Sequence, residues 1–405
     1  MNEGKTLMML GGLRYLKPAI NAAHRLGIRV VTVDNCPSNP AHRWSDTSVE
    51  ASVDDASAVF EAAVANDVNG ITSFAVNPGV IIASVVSHLL GLPFPCQPRS
   101  ACAMQDKGLF RSLLEFAGFH APRHLSFGDD DDILGKLSDG IPFGWPVIVK
   151  PIDSAGSKGV SLVDNIASLS EALLKAFPCS PTSRVIIEEY IPADGHPSDS
   201  EAFFVNGRLQ FCSFSDQYFD GDAENAFVPS GYLWPSSLPE NRQLELMAEL
   251  QRLADILQIG TGLFNVETRF SAEGHPYIME LSPRAGGNRL AEMLDMLCGS
   301  SLIENSVRAS VGMPLLPMEM PVYDGALAEI IIHAGSDGIF RSLEIAPHMK
   351  PLVAETDLWV KPGSHVSAFN GANNAIGTLV LRSDNRELLK NAMENQGEWL
   401  KVIVN

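Results

Sequence analysis

The sequence predicts a three-part protein of mixed α/β and α+β class: an N-terminal doubly wound parallel-sheet domain, a strand-rich central body with intervening helices, and a smaller C-terminal αβ part. Three observations carry this reading. The first hundred residues alternate short apolar runs with helix-like segments, a proline-rich stretch breaks that rhythm near Pro93, and the chain from Val147 onward is dense in strand signals.

In the first part, Thr6 to Leu10, Arg29 to Val33 and Ile71 to Val76 read as strands, and Leu13 to Leu26, Ala56 to Asn66 and Val80 to Leu90 as helices. Gly11 and Gly12 follow the first strand and Asp34 ends the second, which invites a dinucleotide site with the acid on a ribose hydroxyl. The run Gly11-Gly12-Leu13-Arg14-Tyr15-Leu16 does not complete G-x-G-x-x-G, so a plain doubly wound domain is preferred and a nicotinamide-dependent dehydrogenase is the lesser reading.

Leu92-Pro93-Phe94-Pro95 and Pro98 mark a domain edge, giving divisions at 1–98, 99–312 and 313–405. A helix is expected from Arg99 to Glu115, and the acidic run Asp129 to Asp132 reads as a solvated turn or helix start. Strands are expected at Val147 to Lys150, Gly159 to Val163, Val185 to Glu189, Ala202 to Val205, Leu209 to Ser213, Leu263 to Arg269 and Tyr277 to Leu281. Helices fall near Ala167 to Ala176 and Asn241 to Ile256. The last part offers strands at Ala326 to Ile332, Val353 to Val360 and Ala375 to Leu381.

Composition narrows the function. A chain of 405 residues, 45% hydrophobic and 19% charged, can bury large cores. The most apolar stretch, Gly79 to Leu92, falls short of the roughly 18 residues a membrane span needs, and Met1 to Thr6 lacks a leader pattern, so a cytoplasmic protein is expected. Forty-eight acidic against 29 basic residues, a net charge of −19, disfavour nucleic acid and anionic membranes as partners. A polyanionic ligand then requires particular lysines and backbone N–H groups. The six cysteines show no zinc-site spacing and read as reduced thiols.

Four elements carry chemistry. Val147-Ile-Val-Lys150 runs into a loop of small residues, Ser154, Ala155, Gly156, Ser157 and Gly159, whose N–H groups suit phosphate oxygens; a plain hairpin turn is the alternative. Ile186-Ile-Glu188-Glu189-Tyr190-Ile191 is a strand whose exposed end could read an adenine edge, although such strand ends are common. Glu267 and Glu280 lie on strands joined by the Ser271 to Pro276 turn, where they either share a hard cation or are ordinary surface charges. Arg284, in Ser282-Pro-Arg284-Ala-Gly-Gly287-Asn288-Arg289, suits a developing oxyanion or an exposed turn.

The order of these elements, lysine, glycine loop, Glu-Glu-Tyr-Ile, paired glutamates and arginine, resembles the ATP-grasp superfamily of biotin carboxylase, carbamoyl-phosphate synthetase, purine-biosynthesis ligases and amino-acid ligases. The resemblance implies a pre-ATP-grasp domain over 1–98, an ATP-grasp domain of two α+β subdomains over 99–312 with its lid subdomain at about 125–187, and a closing domain over 313–405. It implies ATP and Mg²⁺, with Mn²⁺ as a substitute. It puts Lys107 and Lys150 on the phosphates, Ser154, Gly156, Ser157, Lys158 and Gly159 in a lid, and Glu188, Glu189, Tyr190 and Ile191 at adenine. Asp199, ahead of Asp194, becomes the ribose acid. Glu267 and Glu280 become metal ligands, with Ser282 where the superfamily's usual asparagine stands. Arg284 would contact the γ-phosphate and the acyl phosphate, with Lys150 as its catalytic companion.

The resemblance further implies an ADP-forming ligase that activates a small carboxylic or amino acid as an acyl phosphate and joins it to an amine. An enzyme acting on formate or bicarbonate and a non-catalytic nucleotide-binding protein are the alternatives. Acid and amine substrates are the expected partners, and a homodimer the expected assembly. Arg14, Asn77, Ser230, Gly231, Arg284, Gly287 and Asn288 are the substrate candidates. Of these, Ser230 and Gly231 come from Asn225 to Pro235, read as a specificity loop or a packed surface loop.

Overall fold

The computed structural model describes residues 4–405. Met1 to Glu3, and with them part of the segment read for a leader, lie outside the described residues. No helix among the described residues is long and apolar enough to cross a membrane.

The N-terminal sheet holds strands β1 (Thr6–Leu10), β2 (Arg29–Asp34), β3 (Thr47–Glu50) and β4 (Gly70–Thr72) in the order β3-β2-β1-β4, all parallel. Every residue of β1 is buried because helices cover both faces. Leu7, Met9 and Val30 pack with Ala19, Ile20 and Ala23 of the helix Lys17–Arg25, whereas Met8, Leu10, Val31 and Val33 pack with Val59 and Val86 on the other side. The strand expected to reach Val76 ends at Thr72, and the following loop turns through a left-handed Ala75. β3 gave no signal because its exposure alternates at a sheet edge over only four residues.

The helix expected over Arg99 to Glu115 is two helices, Pro98–Gln105 and Lys107–Phe116, broken at Asp106. Asp106 adopts an extended conformation, caps Leu109 N at 2.9 Å and pairs with Arg184 at 2.8 Å. Strands β5 (His124–Gly128), β6 (Val147–Pro151), β7 (Ser161–Val163) and β8 (Arg184–Glu189) form an antiparallel sheet, β5-β8-β6-β7, backed by the helix Ile166–Ala176. The acidic run does start a helix: Asp132 caps Gly135 N at 3.0 Å.

Six strands follow: β9 (Ser198–Val205), β10 (Arg208–Cys212), β11 (Asp216–Phe219), β12 (Pro229–Trp234), β13 (Gly262–Phe270) and β14 (Pro276–Ser282). Four of them form the antiparallel sheet β10-β9-β13-β14. Leu246, Leu250, Leu253 and Leu257, one stripe of the helix Glu240–Leu257, cover one face together with Phe204, Phe264 and Leu281. The other face is polar and forms the floor of the site.

The last strands are β15 (Ala326–Ile332), β16 (Gly338–Ile345), β17 (Val353–Leu358), β18 (His365–Val366), β19 (Gly377–Ser383) and β20 (Leu400–Val404). The sheet β11-β12-β15-β19-β17 carries pairing across residue 313, since β12 pairs antiparallel with β15. This corrects the loop reading of Asn225 to Pro235. Only its start is a turn; Tyr232 and Trp234 are fully buried on β12. Ser230 and Gly231 are buried strand residues, and a Cβ on Gly231 would stand 2.7 Å from the Glu329 carbonyl oxygen, so this glycine serves sheet packing and presents no substrate contact.

Gly70 carries the contact between the parallel sheet and the helix Leu302–Ser310, because a Cβ there would lie 1.9 Å from the backbone oxygen of Ser310. Gly70→Ala is expected to lower unfolding free energy by about 1–3 kcal/mol. A denaturant midpoint equal to wild type would contradict this close approach.

Candidate active site

Two lysines and an arginine gather beside β8. The break at Asp106 sets Lys107 at the start of its helix, where Nζ donates to the Ser154 carbonyl at 2.6 Å. One turn on, Arg111 is 1% exposed; its Nε donates to Glu188 at 3.1 Å and its Nη1 to the Met279 carbonyl at 2.8 Å. Lys150 on β6 also pairs with Glu188, its diagonal neighbour on the same face of the sheet. Burial pushes the Glu188 carboxyl up, but Arg111 and Lys150 outweigh it and bring the group down to about 2. Burial lowers Lys150, and Glu188 opposes that by favouring the ammonium.

Glu188, given to adenine by the resemblance, is the buried counter-ion of Arg111 and Lys150, and its carboxylate is occupied by those two cations. The neighbouring backbone differs from expectation too. The Glu189 N–H donates to Arg123 O at 2.8 Å, its carboxylate pairs with Arg123 at 2.8 Å, and the Tyr190 N–H donates to Pro146 O at 3.4 Å. The Ile191 N–H is the hinge donor with no partner among the described residues.

The small-residue loop needs its glycines: Gly156 and Gly159 have φ of 71° and 68°, and Ser157 shares that left-handed region at 57°. The loop lies against two other segments. Ser157 Oγ donates to Phe227 O at 2.7 Å, and Asn225 Nδ2 donates to Ser157 O at 2.8 Å and Asn370 O at 3.2 Å. Lys158 and Gly156 sit over Gly371 and Ala372.

The polar face of β9, β13 and β14 carries Asp199, Glu201, Asn265, Glu267, Glu280 and Ser282, because these positions share one parity of the register. Asp199 lies opposite Glu267 and Glu267 opposite Glu280, while Glu201 lies opposite Asn265 and Asn265 opposite Ser282. Burial, then the Glu280 charge, raises Glu267; burial, then the Glu267 charge, raises Asp199 to about 8. Adjacent carboxylates of this kind suit a hard divalent cation, whose remaining positions phosphate oxygens and water can fill. No third His, Cys, Asp or Glu converges with the pair among the described residues.

Asp199 is misassigned by a ribose reading. It is 8% exposed, accepts from Asn265 Nδ2 at 2.6 Å and from the Tyr232 hydroxyl at 3.2 Å, and belongs to the carboxylate floor. The other candidate, Asp194, is half exposed and paired with Arg242 at 2.8 Å. Ser282 is fully buried, accepting from Gln105 at 2.9 Å and donating to Asn77 at 3.4 Å, so its oxygen is committed to that network.

Arg284 closes the floor. Its Nε donates to Asn77 Oδ1 at 3.0 Å, its Nη1 to Asn265 Oδ1 at 3.2 Å, and its Nη2 lies 3.9 Å from Glu280. Asn77, on the loop after β4, thus brings the N-terminal domain to the site. At Gly286 a Cβ would stand 2.8 Å from Asn265 Nδ2, so a larger residue would displace that side chain, and the Gly286 N–H donates to Glu201 at 2.8 Å. Open space surrounds Gly287, and Asn288 donates to the Tyr232 hydroxyl at 3.0 Å. Arg14 stacks over Trp359 at 4.4 Å. Asp34 instead binds Asn39 Nδ2 at 2.9 Å and Cys36 N at 2.8 Å, so its carboxylate serves the local turn.

Residue-by-residue reading missed Arg111, Asn265, Glu201 and Tyr232. An arginine inside an otherwise apolar helix face was the available signal for the first; the others depend on strand register. Glu188→Gln is expected to cost about 3–5 kcal/mol near neutral pH, because two buried cations lose their counter-ion. A carboxyl depressed to about 2 from an ordinary 4.5 stabilises the fold above 4.5 and stops doing so as pH falls through 2. The stability gap between wild type and Glu188→Gln should therefore shrink from pH 4.5 towards pH 2 in urea unfolding; a constant gap would contradict the ion triad.

The ATP-grasp domain family profile matches residues 143–292. The chain is 29% identical to a formate-dependent phosphoribosylglycinamide formyltransferase of Synechococcus sp. (strain RCC307), over 82% of this chain and 81% of the relative. Among solved structures it resembles an L-amino acid ligase from Bacillus licheniformis, with TM-score 0.79 and 19% identity over 99% of each chain. It also resembles the biotin carboxylase domain of Hydrogenobacter thermophilus 2-oxoglutarate carboxylase, whose structure holds MgADP and bicarbonate, with TM-score 0.73 and 15% identity over 99% of this chain and 91% of that one. The profile match thus places an ATP-grasp domain within the chain, over residues 143–292, and the solved structures share its overall fold.

Proposed function

We propose that the protein is an ADP-forming carboxylate–amine ligase that uses ATP and Mg²⁺ to activate a small carboxylic or amino acid as an acyl phosphate and transfers the acyl group to an amine. The observation that carries the reading is the face of β9, β13 and β14, where Glu267 feels the charges of Lys150 and Lys107 and its neighbour Glu280 lies 3.9 Å from the guanidinium of Arg284. Magnesium supplies charge neutralisation between nucleotide and carboxylates when bound.

The chain's own residues do the rest. Lys107 and Lys150 hold phosphate oxygens, the Ser154 to Gly159 loop covers them with backbone N–H groups and keeps water out, and Ile191 offers its N–H to adenine. Arg284, held by Asn77 and Asn265, orients the acid carboxylate and stabilises the charge of the acyl phosphate and of its tetrahedral successor. No nucleophile on the protein is required. The division into 1–98, 99–312 and 313–405 and a homodimeric assembly belong to the same proposal, the latter supported by the dimer of the biotin carboxylase relative.

A second reading, supported by the formyltransferase relatives, makes formate the acid and a phosphoribosyl amine the acceptor. Formate is itself a carboxylic acid, so the chemistry is shared and only the substrates differ. Release of phosphate and ADP should require both an acid and an amine, and a screen including formate, bicarbonate and phosphoribosyl amines selects between the readings. Release of AMP would overturn both.

Glu280→Gln should lower turnover by about a hundredfold or more with little change in unfolding midpoint, since the carboxylate faces the site and not the core. Normal turnover would remove Glu280 from the metal. Lys150→Ala should weaken ATP binding by about tenfold, the scale of one charged hydrogen bond; unchanged affinity by calorimetry would refute its phosphate role.

A further inference from the structure

Beyond Arg284, a small cleft is lined by Tyr15, Phe74, Ala75, Gly286, Arg289 and Glu292. We propose that this cleft, backed by Glu329 of β15, is the subsite for the ammonium group of an amino-acid substrate, the acid that the enzyme activates. The inference rests on the ligase reading above and names the class of its acid.

Glu329 is fully buried, and neither oxygen of its carboxylate has a hydrogen-bond partner. It lies in the apolar run Ala326-Leu-Ala-Glu-Ile-Ile-Ile332, opposite Tyr232 in the β12 pairing and Val380 in the β19 pairing. Tyr232 reaches Asp199 on the site floor, so the side of the sheet that bears Glu329 is the side facing the site. Burial raises the Glu329 carboxyl well above its ordinary value, Arg289 opposes that rise, and Glu292 and Glu355 add to it, while burial first, then Glu329, raises the Tyr15 hydroxyl.

The charges of the cleft do not balance. Arg289 is shared between Glu292 at 3.3 Å and Glu355 at 2.7 Å, and also donates to Thr378 at 2.9 Å. Arg14 is stacked on Trp359. Glu329 therefore has no cation of its own, and a buried carboxylate in that position is costly unless a ligand supplies one. An ammonium fits, since it brings one positive charge and several donors, at least one of them for the Glu329 carboxylate, which has none. A phosphate dianion in the same cleft would meet three carboxylates and one arginine already in use. Gly286 lies two residues from Arg284, which places the cleft beside the carboxylate-activating end of the site, and its volume of about 10 Å³ suits a group the size of an ammonium.

The test uses the full chain with ATP, Mg²⁺ and hydroxylamine, which traps an activated acid as its hydroxamate without any amine substrate. A panel of amino acids is compared with their des-amino analogues, formate and bicarbonate. Wild type should favour amino acids over des-amino analogues at least tenfold in kcat/KM. Glu329→Gln should reduce that preference at least tenfold, and so should Glu292→Gln, which lies nearer the surface and decides the matter if the buried variant fails to fold. Equal use of amino and des-amino acids, or an undiminished preference in either folded variant, overturns the subsite and leaves carboxylate activation standing. Failure of every acid to support phosphate release or hydroxamate formation overturns carboxylate activation itself, and the subsite with it.

Discussion

The arrangement depends on one buried ion triad. Glu188 holds Arg111 and Lys150 at once, and Arg111 also donates to the Met279 carbonyl. These contacts tie the helix Lys107–Phe116, the sheet of β5 to β8 and strand β14 to a common point. Removing three charges from water is expensive, and the cost is offset only because each member has partners at good geometry. The consequence is positional: Lys150 and Lys107 are fixed relative to the glutamates of β13 and β14, which is what phosphate and cation binding between them requires.

The charge pattern follows from that constraint. A protein of net charge −19 repels a polyanion at long range, so attraction has to be built locally. Cations are concentrated on the lid side, at Lys107, Lys150 and Arg111, whereas the floor is acidic, with Asp199, Glu201, Glu267 and Glu280 on one sheet face. Each half is unfavourable alone. Burial first, then a neighbouring carboxylate, Glu267 for Asp199 and Glu280 for Glu267, holds both above their ordinary values, and in the proposed site a divalent cation with its phosphates would relieve both. Ligand binding and local stability are coupled through these carboxylates.

Much of this was legible in the sequence where one residue's chemistry decides its role. Alternating strands, the glycine loop and the paired glutamates are local patterns, and β6, β8, β13 and β14 stand within a few residues of their expected places. What failed was whatever depends on a partner distant in the chain. Glu188 reads as a strand-end acid until Arg111, far upstream, is found beside it. Asp199 reads as a loop acid until register puts it opposite Glu267. β12 reads as a loop because Pro229, Ser230 and Gly231 are turn residues, and only pairing with β15 overrides that local preference. The glutamate within the apolar β15 run was visible, but its meaning required knowing which way the strand faces.

The same β12–β15 pairing explains how the C-terminal part takes part in closing the site. Ser157 and Asn225 lock the small-residue loop to the turn that leads into β12, and Asn225 also reaches the backbone of Asn370. Arg289 bonds Glu355 on β17 and Thr378 on β19. Loop, floor and C-terminal sheet thus share hydrogen bonds around one volume. Backbone strain at Ser157, which accepts a left-handed conformation without being glycine, is compensated only when those bonds are made. This arrangement of the loop is therefore favoured by contacts reaching it from the C-terminal sheet, so residues far from it in the chain set where its backbone N–H groups stand.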